Sequence, residues 1–270
     1  MPIKDILVYI DNDEICDKRV ALATGLCDVY GAHLIGVYVR QRINIPAHEG
    51  VYMPAEFYET NYKETAKLLD KAKTRFLART HAANINSEFH DYDSDISYQL
   101  SLASRLSDLM IVPQRLPDKI DINPYYQLPD ILLSASCPVL LLPEAIPENL
   151  PPHRVMLAWD GGREAARTFK AALPLLNNVK KIDMLMVAAA KGAEIAIAQH
   201  INRHGFEVDV HQIDGGHFDV GNILLEQAKT LDSQMIVMGA YGHSRIRELI
   251  LGGTTQHILK HTNLPVLFSH

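Results

Sequence analysis

The sequence predicts an α/β protein made of two tandem doubly wound, mostly parallel five-stranded sheets flanked by helices. Three observations carry that expectation. Short apolar, β-rich runs alternate with helical apolar periodicity along the 270 residues. Segments of the first half recur in the second in the same order. "IKDILVYIDND" and "HRVMLAWDGG" each end a β-rich run on an aspartate, Asp11 and Asp160; "LSDLMIVPQ" (106–114) matches "LDSQMIVMG" (231–239); "CPVLLLP" (137–143) matches "LPVLFSH" (264–270). Between the copies lies the proline-rich "PEAIPENLPPH" (143–153), a natural linker. The expected organisation is a first domain at 1–145, a linker at 146–152 and a second domain at 153–270.

The elements follow in order. "MPIKDILVYIDND" reads as a first strand and not a signal peptide, because it meets an acidic residue early and has no small-residue cleavage site. Asp11, with Glu14 three residues on, has the pattern of a capping box for the next helix. After the second strand comes an added segment, "QRINIPAHEGVYMPAEFYET", placed to cover a cavity in the first half. Cys137 precedes a proline at a strand start and reads as core. In the second copy, strands are expected near 153–159, 181–188, 207–213, 234–239 and 265–269, and helices near 162–175, 192–204, 219–230 and 254–262. Ala165, Phe169, Ala172, Leu173 and Leu176 share one face of the first of these helices, which Pro174 should kink or shorten.

Composition narrows the function. No apolar run approaches the roughly 20 residues that span a bilayer. The three widely spaced cysteines give neither a disulfide framework nor a metal spacing, and suit a cytoplasmic protein. A net charge of −6 argues against a general nucleic-acid binder. Residues 1–150 hold 14 Lys+Arg against 21 Asp+Glu, whereas residues 151–270 hold 12 against 11. A small anion is therefore better held by the second half.

The stretch "MGAYGHSRIRELILGGTT" (238–255) is where that anion could sit. In an open parallel sheet, ligands bind beyond the carboxyl ends of the strands, at the point where strand order reverses. Gly239 and Gly242 let a backbone approach a ligand, and Gly252 and Gly253 lead into Thr254, Thr255 and an apolar-periodic helix. A helix N-terminus offers N–H groups and a positive dipole end to phosphate. The plainer alternative is a glycine-rich turn with no ligand. GxxxxGK[ST] is absent, and no GxGxxG follows a first strand.

With these residues in view, the chain resembles the universal stress protein family, whose ATP-binding members carry G-x2-G-x9-G-[ST] after the fourth strand. Gly239, Gly242 and Gly252 reproduce the spacing, with Gly253 in the hydroxyl position; "LPVL" and "VMLAWDGGREAAR" resemble the family's closing strand and its opening strand and helix. The resemblance covers the chain as a tandem of two such domains and implies a Rossmann-like, HUP-type fold. It implies phosphate contacts at Gly239, Gly242, Gly252, Gly253, Thr254 and Thr255. It also implies nucleoside contacts near Ala158 and Asp160, an adenine contact through the Val187 backbone, and Met238 packing near the nucleoside. The first copy has "PQRLPDKIDINPYYQLPDILLS" in place of the loop, with prolines and no glycine, so one site per chain is expected. The terminal strands of the two halves are expected to meet.

Other residues have simpler readings. Asp160 could cap its helix or touch the nucleoside, and both readings stand. Trp159 suits a packing anchor. Arg245 and Arg247 either neutralise phosphate or lie on a solvated loop, and His243 is a ligand candidate by position alone. His200/His204 and His257/His261 have helical i, i+4 spacing but no neighbouring ligand to complete a metal site. The expected function is a stress-response protein binding ATP with magnesium in its second domain, with no catalytic residue and no metal of its own. A weak ATPase, an ATP-independent chaperone-like module and a homodimer are the alternatives.

Overall fold

The computed structural model of the chain describes residues 3–40, 55–116, 127–147, 150–187, 192–214, 219–240 and 253–270. The first half runs β1 (Asp5–Ile10), α1 (Ile15–Tyr30), β2 (His33–Arg40), α2 (Ala55–Ala82), β3 (Ser87–Asp93), α3 (Ile96–Ser104), β4 (Leu109–Pro113), α4 (Gln127–Ser134) and β5 (Val139–Leu142). The second runs β6 (Arg154–Ala158), α5 (Arg163–Ala172), β7 (Lys181–Val187), α6 (Ala193–Arg203), β8 (Glu207–Ile213), α7 (Val220–Thr230), β9 (Met235–Gly239), α8 (Gly253–His261) and β10 (Val266–Ser269). The strands and helices expected in the second copy all form, within a few residues of their expected ends. Pro174 acts as anticipated: α5 ends at Ala172 and the chain continues as a 3-10 turn over Leu173–Leu176.

Each half has its first strand beside its fourth, so strand order reverses between β1 and β4 and between β6 and β9. Within each half all pairings are parallel. Both faces are covered. One face packs α1, α2, α5 and α6 through residues such as Val20, Phe76, Phe169 and Ile201. The other packs α3, α4, α7 and α8 through Leu100, Ile131, Leu224 and Ile258. Strands buried on both faces explain the near-continuous apolar runs in the sequence.

Two sheets were expected, with their terminal strands meeting; the structure joins them into one of ten strands, ordered β3-β2-β1-β4-β5-β10-β9-β6-β7-β8. The join is the antiparallel pair β5·β10, with Val266 opposite Leu141 and Phe268 opposite Val139. Each short apolar strand would otherwise leave an open edge, and pairing satisfies both. The terminal strands therefore meet as expected.

The repeat needs one correction. Matching "LMIVPQ" to "QMIVMG" aligns the identical Met-Ile-Val triplets, but the sheet aligns Leu109 with Met235. The Met110 N–H donates to the Pro138 carbonyl and the Ile236 N–H to that of Pro265. Gln114 donates to Leu142, and Ala240 to Ser269, in the same way. One position before these strands, Asp108 accepts from the N–H groups of Lys4 and Asp5 at 2.7 and 3.1 Å, and Gln234 accepts from those of His153 and Arg154 at 2.7 and 3.2 Å. Hydrogen bonding overrides the coincidence of letters, because a one-residue slip would turn every side chain to the wrong face. Pro113, not Gln114, therefore holds the place of Gly239.

The capping box at Asp11 and Glu14 does not form. Glu14 occupies the N-cap position of α1 in helical conformation and makes no side-chain cap bond. Asp11 accepts from the Asp13 N–H at 3.0 Å, and its other oxygen takes the Arg19 guanidinium at 2.7 Å. The buried cation draws this carboxylate inward, away from the helix start. Asp13 instead meets the Ile15 N–H at 3.1 Å. Of the added segment, residues 41–54 lie outside the described residues, and its last part belongs to the 28-residue α2. Among the described residues, no helix is long and apolar enough to cross a membrane.

Candidate functional site

The carboxyl ends of β7, β6 and β9 lie side by side, since β6 pairs with both neighbours. Ala158 stands opposite Met238 in β9 and Leu185 in β7, and the Trp159 N–H extends the ladder to the Leu185 carbonyl at 2.9 Å. Val187 is the last residue of β7. The fold thus brings Ala158, Val187, Met238 and Gly239 to one edge, at the reversal of strand order where α/β sheets bind ligands. Asp160 follows on an exposed turn and accepts from the Gly162 N–H at 2.8 Å. The N-cap position of α5 belongs to Gly162, so Asp160 is not the cap of that helix.

Helix α8 begins at Gly253, which is exposed, with Thr254 partly exposed and Thr255 buried. Gly242, Gly252, His243, Arg245 and Arg247 lie outside the described residues. Met238 is only 5% exposed and packs in the core beneath α7 and α8. Trp159 packs against the opposite core, as its anchoring reading requires.

Gly239 has a structural role that its place in the glycine pattern conceals. A Cβ there would lie 2.7 Å from the Ala165 nitrogen and 2.7 Å from the Glu164 carbonyl carbon. The missing side chain lets the first turn of α5 close directly on the end of β9. Gly253 differs, for among the described residues a Cβ there meets nothing within 4 Å.

Glu164, buried at the second position of α5, was not singled out by its sequence, since a glutamate in a first helical turn ordinarily faces solvent. Burial raises its pKa, but hydrogen bonding from its own backbone N–H and the Arg163 guanidinium, 3.1 Å away, outweigh this and hold it below the ordinary carboxylate value. This corner of the site therefore holds an ion pair between Glu164 and Arg163. The three cysteines offer no nucleophile: all are buried, and burial pushes the Cys27 and Cys137 thiols up to about 12.

The histidine pairs have packing partners. His200 and His204 meet edge-on at 4.8 Å beside Phe169. His257 bonds Asp219 at 3.0 Å, across the α7–α8 contact where Gly221 makes room for its ring. Asp183, Asp209 and His211 on β7 and β8 do bring three potential metal-ligand atoms within 4.8 Å of one another. Lys181 already pairs with Asp209, while Arg154 lies 3.7 Å from Asp183 and His211 2.9 Å from it. Two carboxylates facing two cations make a balanced ion-pair network.

The matching edge of the first half is a cavity of about 180 Å³ lined by Asp11, Arg19, Gln114, Arg115 and Glu144, among others. Arg19, 1% exposed, donates to the Tyr9 carbonyl at 2.9 Å and to Asp11 at 2.7 Å. An arginine thus occupies the carboxylate that corresponds to Asp160.

Comparison with known proteins agrees with this fold. Residues 162–270 match the model of the universal stress protein family. A universal stress protein of Synechocystis is 30% identical over 122 residues, 42% of this chain and 41% of that protein's own length. A universal stress protein structure from Archaeoglobus fulgidus DSM 4304 superposes with a TM-score of 0.73 at 17% identity, over 98% of this chain and 95% of the other. A functionally unknown protein from Pseudomonas aeruginosa PAO1 superposes at 0.64 and 15% identity, over 99% and 92%. These superpositions establish a shared fold across both halves. Over residues 162–270 the chain is similar to the universal stress protein family.

Proposed function

We propose that the second half of the chain binds one adenine nucleotide, ATP with magnesium, and that the protein is a nucleotide-responsive cytoplasmic stress module. One observation carries the reading: the spacing Gly239, Gly242, Gly252 begins at the carboxyl end of β9, beside the reversal of strand order, and ends where α8 begins. Backbone N–H groups at Gly253 and Thr254 and the dipole of α8 suit the phosphates, with Gly242 and Gly252 completing the cradle. Ala158, Asp160 and Val187 hold the nucleoside end. Met238 and Thr255, both buried, act by shaping the floor. We further propose two domains, 1–145 and 153–270, with the linker at 146–152, and no nucleotide in the first.

The residues present fit the group. An exposed helix start and an exposed aspartate flank three strand ends, and the lysine-arginine balance of this half leaves no excess negative charge to repel phosphate. Calorimetry on ligand-stripped protein with millimolar MgATP should give one nucleotide per chain. A flat titration would overturn the proposal, and protection of an aggregating client by that same non-binding protein would establish the chaperone-like alternative instead. Phosphate release that survives replacement of Gly242 by a bulky residue would mark any ATPase signal as contamination.

A further inference from the structure

The candidate site is supported from the other half of the molecule. Gln114 lies one residue beyond β4, at the carboxyl edge of the first half, and is 8% exposed. Its amide nitrogen reaches across the β5·β10 junction and donates to the Leu259 carbonyl at 2.9 Å and the Thr262 carbonyl at 3.0 Å. Leu259 is in the last turn of α8, and Thr262 follows its end. The final carbonyls of a helix have no intrahelical partner, so they need donors from elsewhere. Here both N–H groups of one side chain supply them, in a buried place where an unmet carbonyl is costly. Because β5 and β10 run antiparallel, the carboxyl edge of the first half lies at the amino edge of the second. Helix α8 therefore starts at the candidate nucleotide site and ends on Gln114.

We propose that Gln114 is a positioning residue for the phosphate end of the nucleotide site, acting through α8; the proposal rests on the nucleotide reading above. The device runs one way. The position equivalent to Gln114 in the second half is Ala240, which makes the same backbone bond but has no side-chain donor to return. Helix α8 is also short, nine residues, and a helix of that length depends on its tertiary contacts to hold its ends in place. Along its length it has Ile258 and Leu259 in the core and the His257–Asp219 bond to α7, while Gln114 fixes its far end. The first half has no glycine loop of its own at that edge, and places there the residue that steadies the helix of the second.

The test is MgATP and adenosine binding by the full chain and by Gln114→Met, which keeps the length of the side chain and removes both donors. The variant should bind MgATP roughly three- to tenfold more weakly, the loss expected of one or two net hydrogen bonds. Adenosine has no phosphates, and its affinity should not change. Gln114→Lys keeps N–H donors at a helix C-terminus, where a cation is favoured, and should restore MgATP binding. Amide exchange adds a readout that needs no ligand: the amides of α8 should lose protection in Gln114→Met while those of α5 do not. Equal MgATP affinity in wild type and Gln114→Met overturns the inference and leaves the nucleotide reading intact. So does an equal loss for adenosine and MgATP, which would mark a general loss of structure. Failure of the wild type to bind MgATP overturns the nucleotide reading itself.

Discussion

The two halves share one topology, yet their carboxyl edges are built to opposite ends. Asp11 and Asp160 follow equivalent strands and make the same turn, each accepting the N–H two residues on. In the first half, α1 places Arg19 against that aspartate, and the pair is sealed at 1% and 5% exposure. In the second, the position of Arg19 is taken by Thr168, which bonds the Glu164 and Ser269 carbonyls and leaves Asp160 on an exposed turn. Pro113 stands where Gly239 does. The topology is common to both halves, and a few side chains at one strand edge decide whether its aspartate is sealed or left exposed.

The largest expected effect tests the closed edge. Asp11→Ala leaves the Arg19 guanidinium buried without its counter-charge and should destabilise the protein by about 3–5 kcal/mol. Asp160→Ala should cost less than about 1 kcal/mol, because an exposed turn keeps access to water. The double variant Asp11→Leu/Arg19→Met should recover most of the loss, since an apolar pair can replace a buried ion pair. Urea denaturation measures all three. If Asp11→Ala and Asp160→Ala prove equally mild, the contrast between the edges is wrong.

Next in size is the close approach at Gly239. Gly239→Ala puts a Cβ within 2.7 Å of the α5 backbone, which cannot rotate away as a side-chain end could. A loss of about 1–3 kcal/mol is expected from such overpacking. Full stability with weakened MgATP binding would show that this glycine serves the ligand and not the helix. That outcome would restore the simpler view of the glycine pattern.

These two residues show what could be read in advance and what could not. Strand and helix positions were legible because periodicity is local: buried parallel strands write apolar runs, and helices write apolar residues at three- and four-residue spacing. Pro174 ended α5 by its own chemistry. The union of the two sheets was half legible, since β5 and β10 were expected to meet, but a sequence does not record which edges face each other. Arg19 falls in α1 among Cys16, Val20 and Ala23, all core residues. A cation on an apolar helix face was the available signal for its buried pair, and the aspartate it meets lies eight residues back. The slip in the repeat came from the shared Met-Ile-Val letters, and strands buried on both faces write no alternation that would have corrected it. Gln114 left no signal, because its two acceptors lie about 145 residues away. The glycine spacing starts at the carboxyl end of β9, while the reason for Gly239 lay in a tertiary contact.

Acid should separate the halves a third time. Where the second half buries Glu164, the first has Ile15 at the same place beside its aspartate turn. Glu164 has its pKa lowered in the folded state, so it contributes stability that is fully present above its ordinary value of 4.5 and is lost as pH falls through the folded value. Glu164→Gln should therefore be the less stable protein at pH 7 and should lose less than wild type on acidification below pH 4.5. Denaturation midpoints at pH 7, 5 and 3.5 check the crossing. Parallel curves would mean that the helix start and Arg163 do not favour the charged form.

The smallest effect concerns Gly253, the one position where the glycine pattern departs from the hydroxyl that the family resemblance implies. Unlike Gly239, it has no neighbour among the described residues that forbids a side chain. It is the first residue of α8, and serine lacks the backbone freedom that makes glycine costly in a helix. Gly253→Ser should raise stability by roughly 0.5 kcal/mol through the reduced freedom of the unfolded chain. If the proposed phosphate cradle is correct, the added hydroxyl should also tighten MgATP binding, by about two- to fivefold, the worth of one modest hydrogen bond. Stability and affinity should rise together at Gly253, whereas any substitution at Gly239 lowers stability first. A Gly253→Ser protein that gains stability and loses MgATP affinity would mean that the glycine is kept for its backbone approach, and that the hydroxyl has no place in this cradle.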